Sequence, residues 1–366
     1  IMIESTKASL QDLSTGIDRL FQLARQKLKV TATTTILDGK TPVFTIDGQY
    51  VAQGWTEWTQ GFQFGSALLA FDATGDEELL QLGRDGTYQA MRSHLTSFGV
   101  HDHGFNVVST YGNLLRLMHE GKTPANEIEQ QSLEQALCVS GAVQAYRWTE
   151  TADEEGFIYS FNGPQSLFSD TIRSLRVLAL ADDLGHELLD ENDERVSLLE
   201  RLVEHASVTA RYNVYYGEDR DIYDIRGRVV HESIFNVNDG EYRCPSTQQG
   251  YSPFTTWTRG LAWIMLGFAE QLEFLATRTN EELTLAGGRE AIESMMMDAA
   301  SATCDFYIEH TPTDGVPYWD TGAPGLTNLD DYLSVPADPF NQFEPVDSSA
   351  AAIAAQGLLR LAEVTK

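Results

Sequence analysis

Apolar residues recur along most of this chain at three- and four-residue steps, the spacing that places them on one face of an α-helix. In the first such run, residues 3–30, the stripe includes Leu10, Leu13 and Ile17. Further runs with this spacing cover residues 58–71, 77–97, 107–120, 126–148, 166–184, 187–211, 255–276, 285–310 and 347–364. The pattern therefore predicts about ten helices, separated by turn and cap signals.

One segment breaks the helical pattern. Over residues 213–243, Tyr, Val and Ile alternate with polar residues, which predicts an inserted β-hairpin, and two strand-like pieces precede Gln53. Long helices with alternately short and longer connections predict an all-α fold of successive antiparallel pairs. A plain bundle is the alternative, but loops rich in Trp, Tyr, His and Asp favour a helical toroid with a central pocket. We expect one domain over residues 1–366.

Composition narrows the class of protein. The chain has 42% apolar residues but no run of about 18 uninterrupted apolar residues, so no membrane span is expected. A formal charge of −29 argues against nucleic acid as a partner, because such binding depends on basic patches. Surfaces this acidic are common in proteins that work at high salt. The odd number of cysteines, without a Cys-x-x-Cys pair, favours free thiols over a zinc site or disulfide scaffold. Residues 1–5 do not resemble a signal peptide, and we expect a location in the cytoplasm or periplasm.

Candidate chemistry begins in a polar loop over residues 99–106. The loop carries His101, Asp102 and His103, and a loop of this kind can hold ionisable side chains on a rigid scaffold. A solvent-facing turn is the alternative. Asp170 is a second candidate acid, although in the first turn of a predicted helix it could equally stabilise the helix dipole. Two carboxylates in one pocket would keep a proton on one of them near neutral pH.

A second cluster of motifs lies further along the chain. Gln249 opens the sequence Gln-Gly-Tyr-Ser, and Trp257 and Trp263 flank Arg259. Arg259 suits a planar, bidentate clamp for a carboxylate, but pairing with a structural carboxylate would explain it equally well. His231 lies in the predicted hairpin. The sequence contains no motif of a nucleotide-binding, flavin, zinc-protease or serine-hydrolase site.

The order and spacing of these motifs along the chain resemble those of glycoside hydrolase family 88, the unsaturated glucuronyl hydrolases. Asp102, in His-Asp-x-Gly-Phe, falls where the family carries one essential aspartate, and Asp170 falls at its catalytic aspartate. The remaining matches are His231, Gln249 in Gln-Gly-Tyr-Ser, the block containing Trp257, Arg259 and Trp263, and the helix start Asp347-Ser348-Ser349-Ala350.

The chain also departs from the family pattern. Gln63 replaces a pocket tryptophan, Phe161 stands where another tryptophan is expected, and Leu261 replaces a glutamine. The two aromatic changes reshape the expected sugar-stacking surface. The family fold is an (α/α)6 barrel of twelve helices, so ten predicted helices imply a missing C-terminal pair or closure by another route.

The resemblance implies removal of a C4=C5 unsaturated uronic acid from the non-reducing end of lyase-generated oligosaccharides, by hydration of the vinyl ether. Asp170 would protonate C4 and then, as base, direct water to C5, with Asp102 beside it. Arg259 and His231 would hold the substrate carboxylate, and Gln249 a hydroxyl or the water. Further candidates for substrate contact are His101, His103, Gln63, Phe161, Trp257 and Trp263.

The family reaction needs no metal and no organic cofactor. The implied partner is an anionic oligosaccharide, and the resemblance implies a bacterial protein. Screening over about 8 Å lets a local cationic pocket outweigh the acidic surface. Two other reactions stay open on the same scaffold, a dehydratase and a saturated uronosidase acting on terminal uronic acids. A non-catalytic oligosaccharide-binding protein is the alternative of a different class.

Overall fold

A computed structural model describes residues 9–34, 41–46, 48–54 and 58–366. These residues form two compact units. The N-terminal unit contains the described part of Thr6–Gln144 together with Leu180–Glu187, and the C-terminal unit contains Ala145–Ala179 and Leu188–Lys366. The single domain expected over residues 1–366 stays a prediction.

Helices dominate the N-terminal unit. Its elements are α1 (Leu10–Thr34), β1 (Thr41–Ile46), β2 (Gln49–Gln53), α2 (Thr59–Thr74), α3 (Glu77–Ala90), a 3-10 turn (Met91–Thr96), α4 (His103–Val107), a π-helical turn (Val108–Gly112), α5 (Asn113–His119) and α6 (Glu127–Tyr146), whose last two residues belong to the other unit. β1 and β2 are the two predicted strand-like pieces, and they pair antiparallel. The predicted helix over residues 3–30 is helical from Leu10, and residues 3–8 lie outside the described residues.

Two glycines let α2 approach α4 and the π-helical turn closely. A Cβ at Gly61 would lie 2.4 Å from the Cα of Asn106, and one at Gly65 would lie 2.6 Å from the carbonyl oxygen of Ser109. The amide of Gly61 donates to Oδ1 of Asn106 at 2.8 Å. Since α4 begins directly after Asp102, this packing fixes the polar loop on the unit.

The C-terminal unit combines helices with three small sheets. Its elements are β3 (Trp148–Glu150), β4 (Gly156–Ile158), β5 (Ser166–Phe168), a 3-10 turn (Ser169–Ser174), α7 (Leu175–Asp183, whose last four residues belong to the other unit), β6 (Leu188–Leu189), β7 (Arg195–Val196), α8 (Leu198–Tyr212), β8 (Glu232–Phe235), β9 (Tyr242–Ser246), α9 (Thr258–Leu275), α10 (Asn280–Leu285), α11 (Arg289–Glu309) and α12 (Ser348–Val364). α9 is buried around almost its whole circumference and packs against α11, α12 and the turn after β5. It is the centre of this unit's core.

The predicted hairpin over residues 213–243 is displaced along the chain. The observed hairpin joins β8 to β9, and β5 pairs with β8 to complete a three-stranded antiparallel sheet. Residues 213–231 instead form a loop, because the carboxylate of Asp224 accepts hydrogen bonds from the amides of Gly217, Glu218 and Arg220. The alternation of apolar and polar residues therefore coincides with strand over β8 but not over residues 213–231, where the structure has one isolated bridge between Val214 and Val229.

Two predicted helices begin later than expected. Residues 166–168 are the strand β5, because they pair with β8, and α7 starts only at Leu175. Residues 188–196 contain the short pair β6 and β7, so the helix predicted from residue 187 begins at Leu198. Ser197 caps α8 by accepting a hydrogen bond from the amide of Glu200. No helix among the described residues is long and apolar enough to cross a membrane.

Candidate active site

Asp170 lies in the 3-10 turn between β5 and α7, and its side chain is buried. The backbone of this turn is tied to the residue directly before β8, because the amide of Ser169 donates to the carbonyl oxygen of His231 at 2.8 Å. The sheet therefore brings Asp170 and His231 together: Nε2 of His231 lies 3.5 Å from Oδ1 of Asp170. Both residues belong to the C-terminal unit.

The tautomer of His231 follows from its hydrogen bonds. Its Nδ1 accepts from the backbone amides of Gln248 and Gln249, at 3.0 and 3.3 Å. A neutral imidazole that accepts at Nδ1 carries its proton on Nε2. The nitrogen facing Asp170 is therefore a donor.

Aromatic rings enclose this histidine. The ring of Phe168 packs at 4.4 Å from the imidazole, and Trp257 packs edge-on at 4.9 Å. Phe161 extends the group outwards, since it lies edge-on to Phe168 at 5.3 Å while 47% of it is exposed. Trp263, one turn and a half into α9, is 6% exposed and sits in the buried face of that helix. Phe161 thus has the exposure of a ligand-contacting ring, and Trp263 the burial of a core residue.

Arg259 pairs with a carboxylate of its own unit. Its Nη1 lies 3.3 Å from Oδ2 of Asp347 and donates to the hydroxyl of Ser349 at 3.2 Å. Asp347 also caps α12 by accepting from the amide of Ala350. This geometry favours the structural alternative for Arg259, although its guanidinium also lies 5.0 Å above the ring of Trp257, beside His231.

Gln249 contributes its backbone rather than its side chain to the observed hydrogen bonds. Its amide donates to His231, and its side chain is exposed. The turn that follows is held by Asp320, a buried carboxylate that accepts from the amides of Tyr251 and Gly322. Burial raises the pKa of Asp320, and these backbone hydrogen bonds oppose that increase. Asp320 was missed in the sequence, because a lone aspartate in a Gly- and Pro-rich stretch carries no local signal.

In the N-terminal unit, His101 and Asp102 are both buried, and Nε2 of His101 lies 3.6 Å from Oδ1 of Asp102. Both ring nitrogens of His103 contact other groups of the protein. Its Nδ1 contacts the hydroxyl of Ser140 at 2.6 Å, and its Nε2 contacts the carbonyl oxygen of Ser97 at 2.9 Å. A carbonyl only accepts, so Nε2 carries the proton and Nδ1 accepts from the serine. Both ring nitrogens therefore have partners within this unit, and the contact of His103 with a substrate stays a prediction.

Gln63 lies on α2 with both atoms of its amide group inaccessible to solvent. Neither atom hydrogen-bonds to any residue that the structure describes. A buried amide without partners costs about 1–3 kcal/mol. Trp58, Phe62 and Phe105 form an aromatic cluster on the same unit, with ring separations of 5.4–6.2 Å.

Asp102 and Asp170 belong to different units, and their joint pocket stays a prediction.

The sequence analysis also missed a residue that fixes the segment carrying Tyr159 and Phe161. Arg147 is buried, and its Nη2 donates to the carbonyl oxygens of Tyr159 and Ser160 at 3.0 and 2.8 Å. Its guanidinium lies 4.1 Å over the ring of Tyr159. Nothing in the local sequence distinguishes Arg147 from a surface arginine, so only the fold reveals that it anchors the segment carrying Phe161.

Comparison with solved structures defines the class of fold. The unsaturated glucuronyl hydrolase of Bacillus sp. GL1 superposes with a TM-score of 0.66 at 22% identity, covering 94% of this chain and 78% of that one. An unsaturated glucuronyl hydrolase specific for heparin gives a TM-score of 0.69 at 20% identity, with the same coverage. The chain therefore has the (α/α)6-barrel fold of these proteins, and the predicted all-α fold class is confirmed.

Comparison with the sequences of curated proteins also finds unsaturated glucuronyl hydrolases. No family model matches the chain. The chain is 25% identical over 308 residues to the unsaturated glucuronyl hydrolase of Formosa agariphila, covering 83% of this chain and 63% of that protein. It is 27% identical over 319 residues to that of Bacillus sp. strain GL1, covering 86% and 69%. It thus spans less than two thirds of the Formosa protein. At 25–27% identity, the chain is thus similar to curated unsaturated glucuronyl hydrolases.

Proposed function

We propose that this protein removes a C4=C5 unsaturated uronic acid from the non-reducing end of oligosaccharides by adding water across the double bond. The observation that carries the proposal is the pairing of Asp170 with His231, in which a proton-bearing Nε2 lies 3.5 Å from a buried carboxyl oxygen. The names of the curated relatives support the same substrate class, since they are unsaturated glucuronyl hydrolases and an unsaturated chondroitin disaccharide hydrolase.

In the proposed reaction, Asp170 gives its proton to C4 of the vinyl ether, and positive charge develops at C5 next to the ring oxygen. The Asp170 carboxylate then takes a proton from water as the water oxygen bonds to C5. The resulting hemiketal opens its ring, which leaves a hemiacetal at C1 that releases the linked sugar. Each proton taken from Asp170 is therefore returned to it within one turnover.

His231 is assigned a positioning and binding role. Its Nε2 lies 3.5 Å from the carboxyl oxygen of Asp170 and makes no hydrogen bond to any residue that the structure describes, so it can donate to a substrate oxygen placed beside that carboxyl group. Its ring cannot turn freely, because Nδ1 is held by two backbone amides and Phe168 and Trp257 pack against it. A fixed donor of this kind stabilises developing charge at little reorganisation cost.

Asp102 is proposed as the second carboxylate of the reaction, with His101 holding it. Its negative charge would keep the proton on Asp170 before the substrate binds. Arg259, the side chain of Gln249 and the aromatic rings of Phe161 and Trp257 are proposed to contact the sugar. Gln63 is proposed to do so through its buried amide, in place of the tryptophan stacking that the family pattern implies.

The test uses the ultraviolet absorbance of the conjugated enoate in lyase-generated oligosaccharides. Incubation with the protein is expected to abolish this absorbance and to release one reducing sugar per event. Absorbance that instead appears from saturated oligosaccharides would identify a dehydratase, and sugar release from saturated substrates a uronosidase. Oligosaccharide binding without any turnover would make the protein a non-catalytic binder.

A further inference from the structure

A hollow on the C-terminal unit is lined by none of the residues assigned to catalysis. It has a volume of 540 Å³, within the range of small-molecule sites. Its lining residues are Ala145, Tyr146, Trp148, Thr149, Glu150, Pro164, Leu188, Asp190, Arg201 and Val237. None of them is among the proposed catalytic or substrate-contacting residues. We call it the Arg201 hollow.

Arg201, near the start of α8, is the unusual member of this lining. Its guanidinium stacks 4.0 Å over the ring of Trp148. Burial lowers the pKa of Arg201, while Glu204 and Glu150 act in the opposite direction. Within residues 9–34, 41–46, 48–54 and 58–366, the side chain of Arg201 makes no hydrogen bond and no ion pair, whereas its backbone amide donates to the carbonyl oxygen of Ser197.

This environment leaves the donors of Arg201 available. Stacking on Trp148 occupies the face of the guanidinium, whereas its five N–H donors point outwards in the plane. No nitrogen of this side chain is both sealed from solvent and unpaired, so water can satisfy these donors, and a ligand with several oxygen acceptors would replace that water. The hollow is therefore suited to a ligand that presents several oxygen atoms.

The rest of the lining restricts the class of that ligand. Tyr146, 57% exposed, offers an aromatic ring, and Pro164 and Val237 add apolar surface for the faces of a sugar ring. Glu150 and Asp190 offer carboxylate oxygens, which accept from hydroxyl groups. With two carboxylates and one guanidinium, the lining has a net negative charge, which disfavours binding of a uronate or a sulfated sugar.

We propose that the Arg201 hollow binds a neutral pyranose unit of an oligosaccharide. Arg201 donates to the ring hydroxyls, Glu150 and Asp190 accept from them, and Tyr146 covers one face of the ring. This site does not depend on the proposed catalytic activity, because it shares no residue with it. It gives the protein a second point of attachment to a saccharide chain.

The test is calorimetric titration of the full chain with cellotetraose, laminaritetraose and maltotetraose, with a saturated chondroitin tetrasaccharide for comparison. At least one neutral tetrasaccharide is expected to bind with a Kd of about 1 mM or tighter. Arg201→Gln and Tyr146→Ala are each expected to weaken that binding by about tenfold or more. Arg243→Ala, which removes an exposed arginine of β9 outside the hollow, is the matched control and should bind as the wild type does.

Melting curves establish that the variants are folded, and Tyr146→Ala provides a second variant if Arg201→Gln unfolds. Three outcomes would overturn the proposal. They are no binding of any neutral tetrasaccharide, binding that survives in both variants, and binding of the chondroitin tetrasaccharide alone.

Discussion

Nε2 of His231 lies 3.5 Å from Oδ1 of Asp170, and two consecutive backbone amides hold the opposite nitrogen of the same ring. The two residues come from a turn before α7 and from the segment entering β8, so the pair exists only because β5 and β8 share a sheet. The arrangement places a fixed donor beside a buried acid. It is the part of the candidate site that bears most directly on the proposed chemistry.

Asp170→Asn is expected to reduce turnover of unsaturated oligosaccharides by about 1,000-fold or more, because an amide cannot deliver the proton to C4. The melting temperature should stay within a few degrees, since the substitution is nearly isosteric. Loss of enoate absorbance measures the rate. Asp305→Asn, an exposed aspartate of α11, should leave the rate unchanged. Full activity in Asp170→Asn would remove Asp170 from its assigned role.

Arg259 offers a test between a substrate clamp and a structural ion pair. If it binds the substrate carboxylate, Arg259→Ala raises KM by about tenfold to a hundredfold, as expected from losing a charged hydrogen bond of about 1.5–3 kcal/mol. Asp347→Asn keeps the cap on α12 but removes the charge that pairs with Arg259. It should lower the melting temperature and leave KM nearly unchanged. Equal loss of stability in both variants, with no change of KM, would assign Arg259 to structure alone.

Gly61→Ala is expected to destabilise the N-terminal unit by several kcal/mol, because the new Cβ would lie 2.4 Å from the Cα of Asn106 and α4 would have to move. Since α4 follows Asp102, turnover should fall as well. Denaturant unfolding measures the stability. The matched control is Gly16→Ala on α1, where no heavy atom lies within 4 Å of the added Cβ. That change should be neutral or stabilising by up to about 1 kcal/mol. Similar free energies of unfolding for the two variants would contradict the close packing.

Asp320 predicts a pH dependence of stability. Burial raises its pKa above the ordinary value of 3.8, so the folded protein retains this proton at pH values where the unfolded chain has lost it. The free energy of unfolding therefore falls as pH rises across that interval. Asp320→Asn removes this term, so the melting-temperature difference, wild type minus variant, should be largest at about pH 4 and shrink towards neutrality. A difference that instead grows with pH would show that the amides of Tyr251 and Gly322 dominate.

The three cysteines are free and differ in burial, which predicts distinct rates of alkylation. Cys244 is exposed on β9 and should react first, and Cys138 should be slower because burial raises its pKa. Burial raises the pKa of Cys304 to about 12, so it should react only after unfolding. Mass spectrometry after iodoacetamide treatment, with and without denaturant, measures the order. Rapid modification of Cys304 in the folded protein would contradict its burial.

Much of the helical architecture was predictable because helix periodicity is a local property of the chain. The run over residues 347–364 became α12 with its aspartate cap, and that over residues 255–276 became α9. The strand β5 was not predictable, because its three residues are extended only through pairing with β8, which lies far along the chain. Asp170 was predicted in the first turn of a helix, whereas it lies in a 3-10 turn and α7 begins five residues later.

What the sequence by itself determined is the helical class, the free thiols and the candidate residues that resemble family 88. Only the tertiary structure decided how those residues are used. His103 is held by Ser140 and the carbonyl oxygen of Ser97, and Arg259 pairs with Asp347. The reason is physical: a residue type limits which hydrogen bonds a side chain can make, but the partner that it meets is set by segments distant in the chain.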